Sequence, residues 1–309
     1  MLNPLNHPIC FTSPRRLTHS AWHEHIPFAM FLVDILKPSM IVELGSYYGD
    51  SYCAFCQAVS ELCLSTRCYA VDTWQGDPHS GFYGPEVLAS LRAHHDTLYG
   101  SFSSLIQSTF DEALNYFEDG SIDLLHIDGL HIYEVVKHDF EVWLPKISPY
   151  GVVLLHDINI QDRDFGVWKL WRKLKTQYPH FEFLHGHGLG VLSVGRNQSK
   201  VFKDLLEALD EDILKIRNFF FELGHKLTLQ QALAENESLH QKDAYITHLE
   251  GLVKEKEAEV GGLRAGLAEE DGIIVSLNEI VSRKDAHIGN LKEIINQRGT
   301  PKYPISGVY

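Results

Sequence analysis

The stretch that decides the fold is Val42-Glu43-Leu44-Gly45-Ser46-Tyr47-Tyr48-Gly49-Asp50-Ser51, an apolar run that leads into two glycines four residues apart. This pattern is typical of a buried strand that turns sharply into a helix. Gly45 can turn the chain off the strand tip, and Gly49 lets the backbone approach a ligand closely. The helix N-terminus behind the turn favours a bound carboxylate or phosphate. The spacing matches neither the dinucleotide-binding G-x-G-x-x-G nor the Gly-Lys-Ser/Thr of a P-loop.

Around this turn, from about residue 38 to 196, apolar runs alternate with amphipathic stretches, as in βαβ units around a parallel sheet. Seven strands are predicted, at Met40–Leu44, Arg67–Val71, Leu105–Ser108, Ile122–Ile127, Gly151–Leu155, Phe181–Leu184 and Leu189–Val194. The last two flank His185-Gly186-His187-Gly188, which predicts an antiparallel hairpin in which both histidines have only local roles. Before the first strand, Ser20 to Leu36 predicts a helix that Lys37-Pro38 ends.

The second strand ends in Asp72. An acidic residue at that strand tip is where the ribose hydroxyls of an adenosine ligand would be held. Together with the glycine turn, and without phosphate-binding lysines, Asp72 favours a nucleoside ligand with little phosphate. The alternative is ordinary turn chemistry at both strand tips.

The motifs described so far resemble those of a known enzyme family. Glu43-x-Gly45-x-x-x-Gly49 with Asp72 resembles motifs I and II of class I S-adenosylmethionine-dependent methyltransferases. Further stretches are similar to methyltransferase domains of bacterial polysaccharide and glycosyltransferase gene products, namely residues 72–77, 124–134, 153–157, 165–171 and 186–190. The resemblance spans roughly residues 20 to 196. It implies a methyltransferase with a Rossmann-like, seven-stranded α/β sheet whose last strand is antiparallel.

The resemblance also implies where S-adenosylmethionine would bind. Gly45 and Gly49 would approach its methionine part, Asp72 its ribose and Trp74 its adenine face. The residues expected to bind the cofactor are Glu43, Gly45, Ser46, Gly49, Ser51, Asp72, Thr73 and Trp74.

Chemistry-bearing side chains follow the fourth and fifth predicted strands. Asp128 ends the fourth strand, His156 and Asp157 end the fifth, and His131 follows Asp128 by three residues. Ligands of open α/β sheets bind beyond the carboxyl ends of the strands, so these four are predicted to be neighbours and catalytic. They could bind a divalent ion or supply a general base. The structural alternatives are a plain turn at Asp128-Gly129 and a His156 that only satisfies backbone groups.

A sugar hydroxyl is a poor nucleophile at neutral pH, so its proton must be removed as the methyl group arrives. A bound cation would stabilise the developing alkoxide, whereas an imidazole such as His131, with an ordinary pKa near ~6.5, would take the proton directly. Resemblance to sugar and catechol O-methyltransferases implies magnesium at Asp128 and Asp157. His156 stands where some of those relatives have a second aspartate, and imidazoles suit magnesium less well than oxygens do. The sequence is therefore compatible both with a bound cation and with a metal-free base.

Other residues near these motifs allow two interpretations. Trp22, His23, His25 and Phe28 on the N-terminal helix could form a lid or simply an amphipathic face. His126 is predicted to be a core histidine, and Asp139 could serve either structure or the site.

Behind the α/β region, an apolar residue recurs every seven positions. These residues are Leu239, Ile246, Val253, Val260, Leu267, Ile274, Val281, Ile288 and Ile295, and a second core position carries Leu249, Leu263, Leu277 and Leu291. Such a heptad repeat predicts a coiled coil, and a single solvated helix folded back on the domain is the alternative. The predicted domains are an N-terminal segment and helix over 1–37, the methyltransferase domain over 38–197, a connecting helix over 198–227, a coiled coil over 228–298 and a disordered tail over 299–309.

Composition narrows the classes of function. The formal charge of −14 argues against nucleic-acid binding, which needs a basic surface. No stretch approaches the ~20 apolar residues of a membrane-spanning helix. The first residues lack the pattern of a secretory signal, so we expect a cytoplasmic protein. The five cysteines lack a second pair at zinc-binding spacing and are predicted to be helix thiols.

The leading hypothesis is an S-adenosylmethionine-dependent O-methyltransferase that acts on a sugar hydroxyl of a glycan or polysaccharide precursor. Its coiled coil would give a homo-oligomer or dock a partner. The alternatives are a non-catalytic scaffold that organises a glycan-biosynthesis complex, a phenolic or nitrogen acceptor, and a nicotinamide-dependent oxidoreductase, which the glycine spacing disfavours.

Overall fold

The structure is a computed structural model that describes residues 3–18, 20–162 and 164–298. It contains two compact units, of which the first ends at Glu235 and the second begins at Asn236. Within the described ranges, no helix is both long and apolar enough to cross a membrane. The tail predicted over residues 299–309 lies outside the described residues.

The first unit is built on a seven-stranded sheet. Its strands are β1 (Met40–Leu44), β2 (Arg67–Asp72), β3 (Ser103–Gln107), β4 (Ile122–Ile127), β5 (Ile147–His156), β6 (His180–Phe183) and β7 (Leu189–Ser193). The strand order is β3-β2-β1-β4-β5-β7-β6. Because β7 runs antiparallel to both of its neighbours, the prediction of an α/β sheet with an antiparallel last strand is confirmed.

Helices alternate with these strands as predicted, and two more helices follow the last strand. The helices are α1 (Ile26–Leu36), α2 (Asp50–Glu61), α3 (Glu86–Leu98), α4 (Phe110–Ala113), α5 (Tyr133–Trp143), α6 (Val167–Leu174), α7 (Lys200–Leu206) and α8 (Asp210–Arg298). Strands buried between two helical layers read as continuous apolar runs, and in β1 the side chains of Ile41, Val42 and Leu44 are fully buried. A short hairpin, Gly76–Asp77 with Gly81–Phe82, lies between β2 and α3.

The N-terminal helix begins later than predicted. A 3₁₀ turn, His23–His25, precedes α1, and the predicted start at Ser20 is wrong. Pro27 occupies the first turn of α1, where its missing N–H costs nothing. Lys37 ends α1 in the left-handed conformation, and Pro38 follows it.

The predicted connecting helix over residues 198–227 is interrupted. The side chain of Ser199 caps α7 by accepting a hydrogen bond from the Phe202 N–H, and α8 starts separately at Asp210. The first turns of α8 bury Ile216 and Phe220 in the core of the first unit. The helix α7 and the first turns of α8 therefore belong to the compact α/β unit.

Candidate functional site

The glycine turn after β1 packs directly on the tip of β4. Gly45 has a φ of +84°, and a Cβ atom there would lie 2.2 Å from the Asp128 carbonyl oxygen. Gly49, with a φ of +83°, caps α2. Only glycine meets both the backbone conformation and the close contact at position 45.

Asp72 has a structural role in this turn, in addition to the ligand contact predicted for it. Its Oδ2 accepts hydrogen bonds from the backbone N–H groups of Ser46 (2.8 Å) and Tyr47 (3.0 Å). Its Oδ1 accepts one from the N–H of Trp74 at 2.7 Å. The carboxylate thus holds the glycine turn and the chain after β2 together, and Oδ1 retains one lone pair for a ligand.

Two predicted cofactor residues lie beneath the turn. Glu43 is fully buried, and its Oε2 lies 2.8 Å from Nδ1 of the equally buried His126, which the register of β1 and β4 places beside it. Trp74 is 2% exposed and donates its Nε1–H to the carbonyl of Tyr47. Neither Glu43 nor Trp74 lines the two cavities at the strand tips, whereas the other predicted cofactor residues do.

The larger cavity at the strand tips has a volume of about 370 Å³. It includes Asp72 and Thr73 after β2, and Asp128 and Gly129 after β4. Thr109 and Phe110, which sequence reasoning missed, also line it. The strand-tip rule could have found both residues, because they follow the predicted end of β3.

The smaller cavity has a volume of about 220 Å³ and extends the first toward the N-terminal segment. Its lining residues are Ser20, Ala21, Trp22, Gly45, Ser46, Tyr47, Tyr48, Gly49, Asp50, Ser51, Ser80, Asp128, His131, His156, Asp157 and His187. The two cavities share Gly45, Tyr47, Ser80, Asp128 and His131. A ligand that spans both would therefore pass from the glycine turn to the aspartate and histidine groups.

The structure brings the four predicted catalytic residues together. His131 Nε2 lies 2.7 Å from Asp157 Oδ2 and 3.5 Å from Asp128 Oδ1. His156 Nδ1 lies 3.2 Å from Asp128 Oδ1 and 3.4 Å from Asp157 Oδ2. One ligand atom from each of Asp128, His131 and Asp157 lies within 4.8 Å of the others, close enough to hold a cation.

Opposite charges set the ionisation of this cluster. Burial alone would raise the carboxyl pKa values, but the imidazoles of His156 and His131 outweigh it and hold the pKa of Asp128 and of Asp157 far below the usual range. Burial would likewise lower the pKa of His131, yet its contacts with both aspartates raise it to about 9. The same carboxylates raise the pKa of His156 well above its ordinary value. Two carboxylates and two imidazolium rings therefore face each other at neutral pH.

His187 joins the same cluster, and sequence reasoning missed it. Its Nδ1 lies 3.0 Å from Asp157 Oδ1. His187 and Asp157 have φ values of 68° and 60°, and Tyr47 and Trp74 are also left-handed. These are four of the six non-glycine residues with positive φ in the described part of the chain, and such conformations concentrate at functional sites.

The hairpin after β2 also reaches the site. His79, from the turn of this hairpin, stacks on Phe165 with ring centroids 4.4 Å apart. Phe165 in turn stacks on His131 at 4.8 Å. This aromatic group closes one side of the aspartate and histidine cluster.

The structure also places residues of the N-terminal helix and Asp139, for which the sequence allows two interpretations. Trp22 is buried against His126 and lines the smaller cavity, whereas Phe28 lies in the core. Asp139, on α5, lines neither cavity, and burial raises its pKa to about 7.

A family model described as a methyltransferase domain matches residues 42–158. The uncharacterised protein y4gI of Sinorhizobium fredii is 48% identical over 208 residues, which are 67% of this chain and 22% of that protein. The chain thus spans about a fifth of the length of this curated relative.

Solved methyltransferase structures are also similar to this chain. A methyltransferase from Geobacter sulfurreducens is 16% identical, over 61% of this chain and 83% of its own, with a TM-score of 0.42. The O-methyltransferase TomG from Streptomyces achromogenes, solved with S-adenosylmethionine, is 12% identical over 59% of this chain and 83% of its own, with a TM-score of 0.42. The family match, which covers the glycine turn, Asp72 and both aspartates of the cluster, identifies residues 42–158 as a methyltransferase domain, and the strand order is that expected of the class I type.

Proposed function

We propose that this chain transfers the methyl group of S-adenosylmethionine to a hydroxyl oxygen of a sugar in a glycan or polysaccharide precursor. The observation that carries the proposal is the placement of Asp128, His131, Asp157 and the glycine turn around one cavity. A methyl donor bound over the turn would thus lie beside a cluster of charged side chains that can orient the acceptor. The choice of a sugar as the acceptor is inferred from the resemblance of the sequence motifs to methyltransferase domains of polysaccharide and glycosyltransferase gene products.

The two cavities would bind different parts of the cofactor. The larger one, with Asp72 and Thr73 on one side and Phe110 on the other, suits the adenosine part. The free lone pair on Asp72 Oδ1 would accept a hydrogen bond from a ribose hydroxyl. The turn from Gly45 to Gly49 would approach the methionine part, because glycine leaves the backbone accessible.

The reaction needs orientation and removal of one proton. The sulfur–methyl bond of the cofactor breaks as the oxygen–methyl bond forms, which leaves S-adenosylhomocysteine and a methyl ether. The hydroxyl proton passes to a basic group of the cluster as the oxygen attacks. Holding both reactants in line converts a two-molecule encounter into a local step.

We also propose that Asp128 and Asp157 hold a divalent cation, with magnesium as the candidate implied by the resemblance. The two carboxylates fit a hard cation, and the His131 imidazole, once it loses its proton, is a donor that suits ions such as manganese or zinc as well. A bound cation would stabilise a developing alkoxide as a Lewis acid.

Methyl transfer can be tested with S-adenosylmethionine that carries a deuterated methyl group and a panel of sugar nucleotides and polysaccharide fragments. We expect one acceptor class to gain a single labelled methyl group, as measured by mass spectrometry. Asp157→Asn should bind the cofactor and lose transfer, because it removes a charge from the cluster. Transfer to phenolic or amine acceptors only would contradict the sugar assignment.

We propose further that the C-terminal helix pairs with a second copy of this chain. The heptad residues of the second unit are exposed: Leu249 is 41% and Leu263 65% accessible. An apolar stripe of this length normally marks an interaction surface. In a parallel pair, Glu259 and Arg264 of different copies would meet as opposite charges at the flanking g and e positions. A coiled-coil homo-oligomer therefore fits this surface.

Self-association can be measured by sedimentation of the full chain. We expect an oligomer that Leu263→Asp together with Leu277→Asp converts to a monomer, because charges would enter the apolar contact. Ala265→Asp, on the outer face of the same helix, is the matched control and should leave the oligomer intact. A monomeric unmodified chain would contradict the proposal.

We place the protein in the cytoplasm. The cysteines are all free, and four of the five are buried, as in a reducing compartment. The acidic net charge supports a small-molecule or glycan acceptor rather than a nucleic acid.

A further inference from the structure

We propose that His187 is the general base that takes the proton from the acceptor hydroxyl, with Asp157 fixing its orientation. This inference rests on the proposed methyl transfer and names the group that the reaction needs. In this proposal His187, and not the His131 named from the sequence, acts as the base. The sequence predicts only a local role for His187, because it lies in a hairpin.

The contact between His187 and Asp157 determines which ring nitrogen is basic. Asp157 Oδ1 lies 3.0 Å from Nδ1 of His187, and because a carboxylate oxygen only accepts hydrogen bonds, Nδ1 is the donor. The proton of a neutral ring therefore sits on Nδ1, and the free lone pair is on Nε2. Nε2 has no hydrogen-bond partner among the described residues, and the side chain is 52% exposed. His187 also lines the smaller cavity.

The other imidazoles of the cluster are engaged or buried. His156 Nε2 must donate to the Gly186 carbonyl at 2.9 Å, its Nδ1 faces both aspartates, and its side chain is only 5% exposed. His131 directs Nε2 at Asp157, and its Nδ1 is buried without a partner. His187 is thus the imidazole of this cluster that combines an orienting carboxylate with an accessible nitrogen.

The two oxygens of Asp157 serve different neighbours. Oδ2 faces His131 and His156, on the side of Asp128, whereas Oδ1 faces His187. A cation held between Asp128 and Asp157 and the His187 contact would therefore use different oxygens. The proposed base is compatible with either answer on metal dependence.

The backbone holds His187 in place. Its φ of 68° lies between those of Gly186 (52°) and Gly188 (90°), a run that needs flanking glycines. The His187 carbonyl accepts a hydrogen bond from the Asn159 N–H at 2.9 Å, so the hairpin is tied to the chain after β5. The left-handed conformation and this tie together place the ring above Asp157.

The proposed step is balanced. The acceptor oxygen attacks the methyl carbon as the sulfur–carbon bond breaks, and the hydroxyl proton moves to Nε2 of His187. The resulting imidazolium is stabilised by the adjacent Asp157 carboxylate and later releases its proton to water.

The first test is chemical labelling of the full chain with diethylpyrocarbonate, which reacts with accessible, unprotonated imidazole nitrogens. We expect peptide mass spectrometry to find fast modification at His187 and protection at His131 and His156. Asp157→Asn should change the rate at His187, because it removes the orienting charge. Modification of His131 with His187 unreactive would overturn the proposal without bearing on cofactor binding.

The second test compares His187→Gln with His185→Gln in the methyl transfer assay. We expect His187→Gln to lower kcat by about 100- to 10,000-fold, the usual contribution of a general base, with unchanged binding of S-adenosylmethionine. His185→Gln, in the same hairpin, should keep the unmodified rate. A fully active His187→Gln would refute the base, whereas absence of both cofactor binding and transfer in the unmodified chain would refute the proposed function itself.

Discussion

Asp72→Ala is expected to weaken the binding of S-adenosylmethionine by about 100-fold or more, because hydrogen bonds to a charged group contribute about 1.5–3 kcal/mol each. The carboxylate accepts three backbone N–H groups, from Ser46, Tyr47 and Trp74. Its loss would release the glycine turn and remove the acceptor for the ribose. Titration calorimetry with the purified full chain measures the effect.

A matched control separates this effect from general destabilisation. Asp123 lies at the opposite end of the sheet, where its Oδ2 accepts the Ser39 N–H at 2.7 Å. Asp123→Ala should bind the cofactor like the unmodified chain. If both variants bind normally, Asp72 does not organise the cofactor site.

Gly45→Ala is expected to lower the free energy of unfolding by about 3 kcal/mol or more. The added methyl group would meet the Asp128 carbonyl oxygen at 2.2 Å, and this oxygen belongs to the backbone, which has little room to move. Overpacking of this kind costs about 1–3 kcal/mol, and the left-handed backbone adds about 1–2 kcal/mol. Urea unfolding followed by circular dichroism gives the value.

Gly120→Ala isolates the backbone part of that cost. Gly120 has a φ of +70°, and no atom lies within 4 Å of an added Cβ. We expect a loss of only about 1–2 kcal/mol for this variant. Equal losses for Gly45→Ala and Gly120→Ala would show that the contact between the β1 and β4 tips is not tight.

The sheet is readable from the sequence because its strands are buried on both sides. Runs such as Met40–Leu44 and Ile122–Ile127 are mostly apolar, and the structure has both strands at these bounds. The end of a helix depends more on tertiary contacts. The sequence predicts a helix from Ser20, yet α1 starts at Ile26, where Pro27 fits the first turn.

Site residues can be predicted from the sequence where a reactive side chain directly follows a strand. Asp128, His156 and Asp157 meet as predicted from the strand-tip rule. His187 could not be placed in this way, because it lies in a hairpin turn. Only the antiparallel pairing of β5 and β7, which sets His156 opposite Leu189, brings that turn over Asp157.

The structural role of Asp72, which accepts three backbone hydrogen bonds, could not be predicted from the sequence for a related reason. Its partners are backbone N–H groups, and residue types do not reveal where those groups point. The turn conformation, with Tyr47 and Trp74 in the left-handed region, directs them at the carboxylate. The heptad repeat of the tail is plain in the sequence, since it depends on spacing along one helix.

The measurement that tests the central claim most directly is calorimetric titration of the unmodified full chain with S-adenosylmethionine and S-adenosylhomocysteine, with and without magnesium. We predict saturable binding of both compounds at one site per chain, with micromolar affinity. Absence of binding in a sample that circular dichroism shows to be folded would contradict the assignment of the strand-tip cavities to this cofactor.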